Sequence, residues 1–171
     1  MRICVLGNSG SGKSTYAKQF GVRVLELDSI YWQPHQIAVA RDVESVRADL
    51  AAFIAANDEW VIEGCYADLI DEAARRCDEL VFLNPGVDTC VANARRRPFE
   101  PHKYDRPEAQ EEMLESLIGW IRAYATRRDS TGYTAHRRVF DAFSGPKREV
   151  RDLAALSSGD RFRPQGPSRR A

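Results

Sequence analysis

The sequence predicts an α/β protein in three layers, in which helices flank a mostly parallel five-stranded sheet and a short lid covers one edge. Short apolar runs of the kind found in fully buried strands alternate with helical segments along the chain. A sheet built from such an alternation is parallel, with right-handed crossovers between its strands. The glycine-rich stretch GNSGSGKST at residues 7–15 directly follows the first apolar run and opens the first helical segment.

The first two strands and their helices are predicted from apolar patterning. The first strand is RICVLG at 2–7, and a short helix follows over 13–20, where Gly21 ends it. The second strand is VRVLELD at 22–28. A longer helix is predicted over 41–57, because apolar residues recur there at helical spacing. These apolar residues are Val43, Val46, Leu50, Phe53 and Ile54.

The third and fourth strands are the most apolar segments of the chain's middle. They are WVIEG at 60–64 and ELVFLN at 79–84, with a shorter helix at 67–76 between them. The turn residues at 84–86, Asn-Pro-Gly, end the fourth strand.

The carboxyl-terminal half is predicted to be mainly helical. A helix over 87–97 precedes a polar loop at 98–110, which has the size and place of a lid. A long helix over 111–128 and a shorter one over 136–143 follow. The segment KREVRDL at 147–153 is predicted to form the fifth strand.

Length and composition predict one domain over 1–157 and a flexible Pro/Gly/Arg-rich tail over 158–171. The chain has 171 residues, 43% hydrophobic and 29% charged, as in soluble globular proteins. No stretch approaches the apolar length of a membrane span, and residues 1–20 carry a strand and a glycine-rich loop instead of a signal peptide. We therefore expect a cytoplasmic protein, a monomer or homodimer, with no membrane partner.

Charge is balanced overall but not along the chain. A formal net charge of zero argues against a nucleic-acid partner. Residues 1–90 hold 8 Lys and Arg against 14 Asp and Glu, and residues 91–171 hold 17 against 11. The basic residues of the second half either surround an anionic substrate or form solvated helix faces. The four cysteines and three scattered histidines show no metal-site spacing.

Residues 7–14 fit the phosphate-loop pattern G-x-x-x-x-G-K-[ST], between a buried strand and a helix. Glycines allow consecutive backbone N–H groups to point at an anion, and the helix that follows adds unsatisfied N–H groups. We expect Lys13 to bridge the β- and γ-phosphates of ATP, Ser14 to bind Mg²⁺ and Thr15 to reach the α-phosphate. The predicted cofactor-binding residues are Gly7, Asn8, Ser9, Gly10, Ser11, Gly12, Lys13, Ser14 and Thr15.

Two carboxylates follow strands whose carboxyl ends share an edge with the phosphate loop. Because ligands gather at that edge of a parallel sheet, Asp28 and Glu63 are candidate site residues. Glu63 is predicted to hold Mg²⁺ through water, or else to cap the strand end. Asp28 is predicted to orient the phosphate acceptor.

Three motifs resemble the small P-loop kinases of the adenylate kinase-like superfamily. They are the phosphate loop, LDSIYWQP at 27–34 and WVIEGCY at 60–66, and the arginine-rich segment after the fourth strand adds to them. The closer resemblance is to the bacterial topology modulation or adenylate kinase-related proteins, and it covers most of residues 1–145. It implies a three-layer P-loop NTPase fold and phosphoryl transfer. Glu63 stands where that group usually has Asp.

The residues around the second and third motifs are the candidate substrate-binding residues. Tyr31 and Trp32 either form a flat wall for a nucleobase or sugar or pack under a loop. Tyr66 ends the third motif and is assigned to the same site. Arg41 opens the next helix, where a cation opposes the helix dipole, which favours a substrate-facing role.

Arginines around the lid segment, about 95–110, are the remaining catalytic candidates. The run 95–97 enters the lid, and Arg127 and Arg128 close the long helix, where related proteins carry a similar pair. In kinases of this type lid arginines fold over the transferred phosphate. We expect two or three of these five arginines to face the site, with Arg97, Arg127 and Arg128 assigned as catalytic.

The sequence therefore predicts an ATP- and Mg²⁺-dependent kinase that passes the γ-phosphate to a small acceptor, a nucleoside monophosphate or a nucleoside. A hydroxyl acceptor would use Asp28 as a base, whereas a monophosphate would use the arginines and needs no base. Two alternatives stay open: a regulatory P-loop NTPase and a DNA-linked factor.

Overall fold

The five predicted strands form one sheet in the computed structural model, which describes residues 1–33, 39–100 and 105–157. The sheet order is β2-β3-β1-β4-β5, and every neighbouring pair is parallel. This arrangement confirms the predicted three-layer α/β fold of the P-loop NTPase type. The strands are β1 (Arg2–Gly7), β2 (Arg23–Glu26), β3 (Trp60–Gly64), β4 (Glu79–Leu83) and β5 (Lys147–Val150).

Seven α-helices occur in the described part of the chain. They are α1 (Lys13–Ala17), α2 (Asp28–Tyr31), α3 (Val43–Ala56), α4 (Ala67–Ala74), α5 (Val87–Arg95), α6 (Pro107–Arg122) and α7 (Tyr133–Ala142). Short 3₁₀ turns follow α1, α6 and β5, at Lys18–Phe20, Ala123–Ala125 and Leu153–Ser157. No helix within these ranges is both long and apolar enough to cross a bilayer.

Several boundaries differ from the sequence prediction. The second strand ends at Glu26, because Asp28–Tyr31 forms the short helix α2, which the sequence pattern did not predict. The long helix begins at Pro107, four residues earlier than predicted, since proline at the first helical position has no N–H to satisfy. It ends at Arg122 and not at the predicted residue 128, and a 3₁₀ turn at Ala123–Ala125 follows it.

The core lies on both faces of the sheet, because successive side chains of a strand point to opposite faces. In β1, Cys4 and Leu6 join a large cluster on one face, whereas Ile3 and Val5 join a smaller cluster on the other. Helices α3, α4 and α7 cover the first face, and α1 contributes to the second. A third cluster lies between α5 and α6.

The position of β1 decides where a ligand site forms. β1 pairs with β3 on one side and with β4 on the other, so β1 lies in the middle of the sheet, where the strand order reverses. Crevices outside the carboxyl ends of parallel strands form at such points. The glycine-rich loop after β1 opens there.

Candidate active site

The turn from β1 into α1 has a backbone conformation that favours glycine over residues with a Cβ atom. Gly10 has φ +77°, and a Cβ atom there would lie 2.2 Å from the carbonyl oxygen of Cys90. Gly12 caps α1 with φ +91°. Asn93 of α5 holds this turn by donating from Nδ2 to the Gly10 carbonyl at 2.8 Å. Close packing and positive φ angles therefore explain why glycine occupies these positions of the predicted phosphate loop.

Lys13 is the first residue of α1, and its side chain is buried, with 8% exposure. Its Nζ donates to the carbonyl oxygen of Asn8 at 2.9 Å. The ammonium group therefore lies across the loop that connects β1 to α1. A point charge at this place faces the phosphates of any nucleotide that the loop binds.

Ser14 and Glu63 meet beside the loop, although they belong to α1 and β3. The Ser14 hydroxyl donates to Oε1 of Glu63 at 2.5 Å. Burial raises the pKa of the Glu63 carboxyl, whereas the nearby Lys13 charge and the Ser14 hydrogen bond act in the opposite direction.

A hydroxyl and a carboxylate are the hard oxygen ligands that Mg²⁺ takes. Among the described residues, no three or more His, Cys, Asp or Glu side chains gather as a metal cage. Mg²⁺ at nucleotide sites needs only one or two protein ligands besides phosphates and water. Ser14 and Glu63 therefore fit the requirements of a nucleotide-bound Mg²⁺.

Asp28 is the first residue of α2, on the same edge of the sheet. The Tyr66 hydroxyl donates to Asp28 Oδ1 at 2.7 Å. Burial and the neighbouring Asp28 carboxylate raise the pKa of Tyr66 far above its usual value, so this hydroxyl keeps its proton. The Tyr31 ring stacks on Tyr66, with centroids 4.0 Å apart and planes at 20°, and Trp32 meets Tyr31 edge-on at 4.8 Å.

One cleft of about 1150 Å³ joins these groups. It runs from the loop after β1 to α2, the 96–100 segment and α6. The predicted site residues that line it are Ser9, Gly10, Gly12, Lys13, Ser14, Thr15, Asp28, Tyr31, Trp32, Glu63, Tyr66 and Arg97. Tyr31 and Trp32 thus belong to the wall of the cleft and also pack on each other.

The predicted residues that do not line the cleft are Gly7, Asn8, Ser11, Arg41, Arg127 and Arg128. The Arg41 guanidinium donates to the Ile30 carbonyl at 2.8 Å and to Asp49 Oδ2 at 2.7 Å. Arg41 therefore ties α2 to α3. The predicted substrate-binding role of Arg41 stays a prediction, and in this structure its side chain makes this contact outside the cleft.

Arg127 lies behind the loop. Its guanidinium donates to Asn8 Oδ1 at 3.0 Å and to the carbonyls of Thr131 and Trp120 at 2.8 and 2.9 Å. The group packs on the Trp120 ring at 3.5 Å, and burial lowers its pKa. Arg128, the next residue, is exposed.

The three lid arginines point in different ways. Arg96 and Arg97 line the cleft, and Arg97 pairs with Glu100 at 3.3 Å. Arg95 pairs with Glu115 of α6 at 3.7 Å. The part of the predicted lid at residues 101–104 lies outside the described residues, as do His35, His102 and the tail at 158–171.

The sequence placed Asn8 among the cofactor-binding residues but did not reveal its distant partners. Asn8 acts as a junction, because its Nδ2 donates to the Ile121 carbonyl at 3.1 Å while its Oδ1 accepts from Ser9 and Arg127. Asn93, which holds the Gly10 carbonyl, and Trp120, which lines the cleft, were not predicted as site residues. These partners lie far apart in sequence, so no local pattern marks them.

His136 belongs to the core and not to the site. It is fully buried, with Nε2 hydrogen-bonded to the Cys65 carbonyl at 2.7 Å and Nδ1 to the Tyr124 hydroxyl at 2.6 Å. These partners assign the neutral ring with its proton on Nε2. Burial lowers the pKa of His136 to about 4.

No family model and no curated protein matches the chain. Among solved structures it is similar to shikimate kinase from Acinetobacter baumannii, with 15% identity and a TM-score of 0.48, over 91% of this chain and 87% of that one. Deoxyadenosine kinase from M. mycoides shows 13% identity and a TM-score of 0.44, over 91% and 95%. A sugar kinase from Janibacter sp. HTCC2649 shows 18% identity and a TM-score of 0.42, over 77% and 97%. At such identities these similarities concern the fold alone.

Proposed function

We propose that this chain is an ATP- and Mg²⁺-dependent phosphotransferase that moves the γ-phosphate to a small acceptor, a nucleoside monophosphate or a nucleoside. One observation carries the proposal: Lys13, the Ser14–Glu63 pair and Asp28 line a single cleft. Its volume of about 1150 Å³ exceeds the ~300–1,000 Å³ of a site for one drug-sized ligand. The cleft therefore offers room for a donor and an acceptor together.

The donor half is built for a polyphosphate. Glycines at positions 10 and 12 give the turn the positive φ angles of an anion-binding backbone, and Lys13 adds a buried positive charge. Ser14 and Glu63 would hold Mg²⁺, which when bound neutralises charge on the phosphates. The protein's own contribution is to position the phosphates and exclude water from them.

The acceptor half combines a carboxylate with aromatic surface. Asp28 is oriented by Tyr66, and the rings of Tyr31 and Trp32 stand beside it. Such a set can orient a small molecule next to the donor phosphate. The motifs at 27–34 and 60–66 further support membership of the topology modulation or adenylate kinase-related group, which we include in the proposal.

The test is a coupled assay of ADP release by the full chain with Mg²⁺ and ATP, with and without nucleosides and nucleoside monophosphates. We expect release that depends on a small acceptor. Lys13→Ala should lower turnover by about 10³-fold or more, because electrostatic stabilisation of the transferring phosphate is lost. Arg75→Ala removes an exposed cation paired with Asp71 outside the cleft, and serves as the matched control.

Near-normal turnover in Lys13→Ala would contradict the proposal. Release without any acceptor, stimulated by a protein, would indicate a regulatory NTPase instead. Stimulation by duplex DNA with a steep salt dependence would indicate a DNA-linked role.

A further inference from the structure

We infer that the acceptor is an uncharged compound that carries a hydroxyl group on a planar-ring scaffold, and that Asp28 receives the proton of that hydroxyl. The inference rests on the phosphotransferase proposed above and selects between its two classes of acceptor. A nucleoside has the required chemistry, whereas a nucleoside monophosphate does not.

The acceptor half of the cleft is lined by carboxylates. Glu26, Asp28 and Asp129 all line the cleft, and Glu63 of the proposed Mg²⁺ site stands beside Asp28. A monophosphate carries about −1.5 to −2 charges at neutral pH, so it would bring a second anion to this side of the cleft. Like charges at short range in a partly buried site repel each other, and only matching cations offset this repulsion.

Among the residues that the structure describes, matching cations are scarce on that side. Within residues 1–33, 39–100 and 105–157, the cations that line the cleft are Lys13, Lys18, Arg96 and Arg97. Lys13 lies across the phosphate loop, and Lys18 lies 3.6 Å from Glu26 with its side chain largely exposed.

Of the two arginines of this set, Arg96 is connected to the donor side through Asn93. Arg96 donates to Asn93 Oδ1 at 3.3 Å, and Asn93 in turn holds the Gly10 carbonyl at 2.8 Å. Arg97 follows it and pairs with Glu100. Arg41, the predicted acceptor cation, is engaged with Asp49 outside the cleft. These positions suit arginines that meet the transferred phosphate, not the phosphate of an acceptor.

Asp28 has the position and support of a base. It follows Leu27, whose backbone N–H donates to the Glu63 carbonyl at 2.9 Å, so Asp28 stands next to the Ser14–Glu63 pair. The Tyr66 hydroxyl fixes one carboxylate oxygen at 2.7 Å. A carboxylate oriented in this way beside the donor phosphate can accept a proton from a substrate hydroxyl.

The surroundings of Asp28 favour a planar ring. The stacked pair of Tyr31 and Tyr66 and the Trp32 ring stand on one side. Leu117 and Trp120 of α6 are further apolar residues of the same cleft. Aromatic and apolar walls bind a flat neutral ring by stacking and burial, without a need for charge.

The acceptor hydroxyl oxygen forms a bond with the γ-phosphorus, and the bond from that phosphorus to the β–γ bridging oxygen breaks. ADP leaves with the electron pair. The hydroxyl proton passes to the Asp28 carboxylate and from there to solvent.

The experiment compares nucleosides with their 5′-monophosphates as acceptors, using the full chain, Mg²⁺ and ATP. We expect kcat/KM to be about tenfold or more higher for the best nucleoside than for its monophosphate. Asp28→Asn keeps the shape and removes the base, and should lower kcat by about 10²–10⁴-fold while KM for ATP stays within about twofold. Asp28→Glu restores a carboxylate and should recover part of kcat.

Two further variants keep this test decisive. Asp71→Asn changes an exposed carboxylate of α4 outside the cleft and should leave kcat unchanged. Tyr66→Phe keeps the ring and removes the hydrogen bond to Asp28, and should lower kcat more than it changes KM. A thermal melt of each variant checks that it folds. If Asp28→Asn does not fold, the kcat of Tyr66→Phe tests the role of Asp28.

The outcomes separate the two proposals. Higher kcat/KM for monophosphates, with near-normal kcat in Asp28→Asn, would overturn the hydroxyl acceptor and leave the phosphotransferase in place. No acceptor-dependent ADP release with either set of compounds would overturn both.

Discussion

Glu63 shows how a single residue of the site departs from an ordinary surface carboxylate. It is 4% exposed, accepts a hydrogen bond from Ser14 and lies near Lys13. The topology modulation proteins that the motifs resemble usually have Asp here, and glutamate is longer by one methylene. In the structure the longer side chain places Oε1 2.5 Å from the Ser14 hydroxyl. Its proposed Mg²⁺ role therefore remains compatible with the observed geometry.

His136 gives a prediction at the residue scale. Burial holds its pKa at about 4, whereas a histidine in the unfolded chain titrates near 6.5. Between these values the unfolded chain binds more protons, so stability is complete above pH 6.5 and falls as the pH drops toward 4. From pH 7.5 to pH 5.0 this residue should cost about 2 kcal/mol of unfolding free energy.

The measurement is urea denaturation of wild type and His136→Gln at both pH values. The variant should be less stable at pH 7.5, because a buried imidazole ring that makes two hydrogen bonds is lost. Its stability should fall less than that of wild type on acidification. Parallel losses of stability in the two proteins would show that His136 does not titrate in this way.

At the scale of the element, the phosphate loop depends on a backbone that only glycine permits at position 10. Gly10→Ala places a Cβ atom 2.2 Å from the Cys90 carbonyl at φ +77°. We expect a loss of about 1–3 kcal/mol in unfolding free energy and a loss of Mg²⁺–ATP binding, measured by denaturation and calorimetry.

Gly119 supplies the matched control for that substitution. It is exposed in α6, and a Cβ atom there meets nothing within 4 Å. Gly119→Ala should therefore stabilise the protein by about 0.5–1 kcal/mol and leave Mg²⁺–ATP binding intact. Normal ATP binding by Gly10→Ala would contradict the role assigned to the loop backbone.

Arg127, which follows α6 in the chain, contacts the phosphate loop and gives a second prediction for these elements. Arg127 donates to Asn8, Trp120 and Thr131 through its planar fork, which a lysine does not reproduce. Arg127→Lys should lower the unfolding free energy by about 1–3 kcal/mol and weaken Mg²⁺–ATP binding.

Arg128→Lys changes the exposed neighbour and should alter the unfolding free energy by no more than about 0.5 kcal/mol. Steady-state kinetics of the two variants also test the catalytic roles predicted for both arginines. Equal stability of Arg127→Lys and wild type would show that the fork does not hold the loop.

For the whole molecule, ion pairs engage several basic residues of the second half, and the pair of Arg148 with Glu79 joins the two halves. Arg137 lies 2.8 Å from Glu149, and Arg148 lies 3.1 Å from Glu79. Arg95 pairs with Glu115. Many basic residues of the second half thus serve the packing of α6, α7 and β5, and only Arg96 and Arg97 among the described ones line the cleft.

The domain boundary gives a prediction for the whole molecule. A chain that ends at residue 157 should keep its melting temperature within about 2 °C and its acceptor-dependent turnover, because residues 158–171 lack apolar periodicity. Differential scanning calorimetry and the coupled assay measure both. Precipitation or loss of turnover would place the tail within the folded unit.

A chain that ends at residue 152 is the companion variant. It removes the 3₁₀ turn Leu153–Ser157, in which Leu156 packs against a core cluster and Leu153 lines the cleft beside the phosphate loop. Its Mg²⁺–ATP binding and melting temperature should both fall. The pair of truncations therefore tests the boundary from each side.

Much of the fold was predictable because its signals are local. The buried strands are continuous apolar runs, and the glycine-lysine-serine spacing of residues 7–14 is contained in eight positions. The helix α2 was not predicted, since its four residues are too few to show a period. The start of α6 at Pro107 was missed because the polar residues before 111 do not show the apolar repeat.

The α/β class, the five strands and the phosphate-loop pattern can be recognised from the sequence, because each depends on neighbouring residues. Which side chains meet follows from the three-dimensional packing alone. Ser14 and Glu63 are 49 residues apart, Asp28 and Tyr66 are 38 apart, and Asn8 and Arg127 are 119 apart. Such contacts depend on the strand order and on how the helices pack against the sheet. For the same reason a run of similar arginines contains residues that line the cleft and residues that do not.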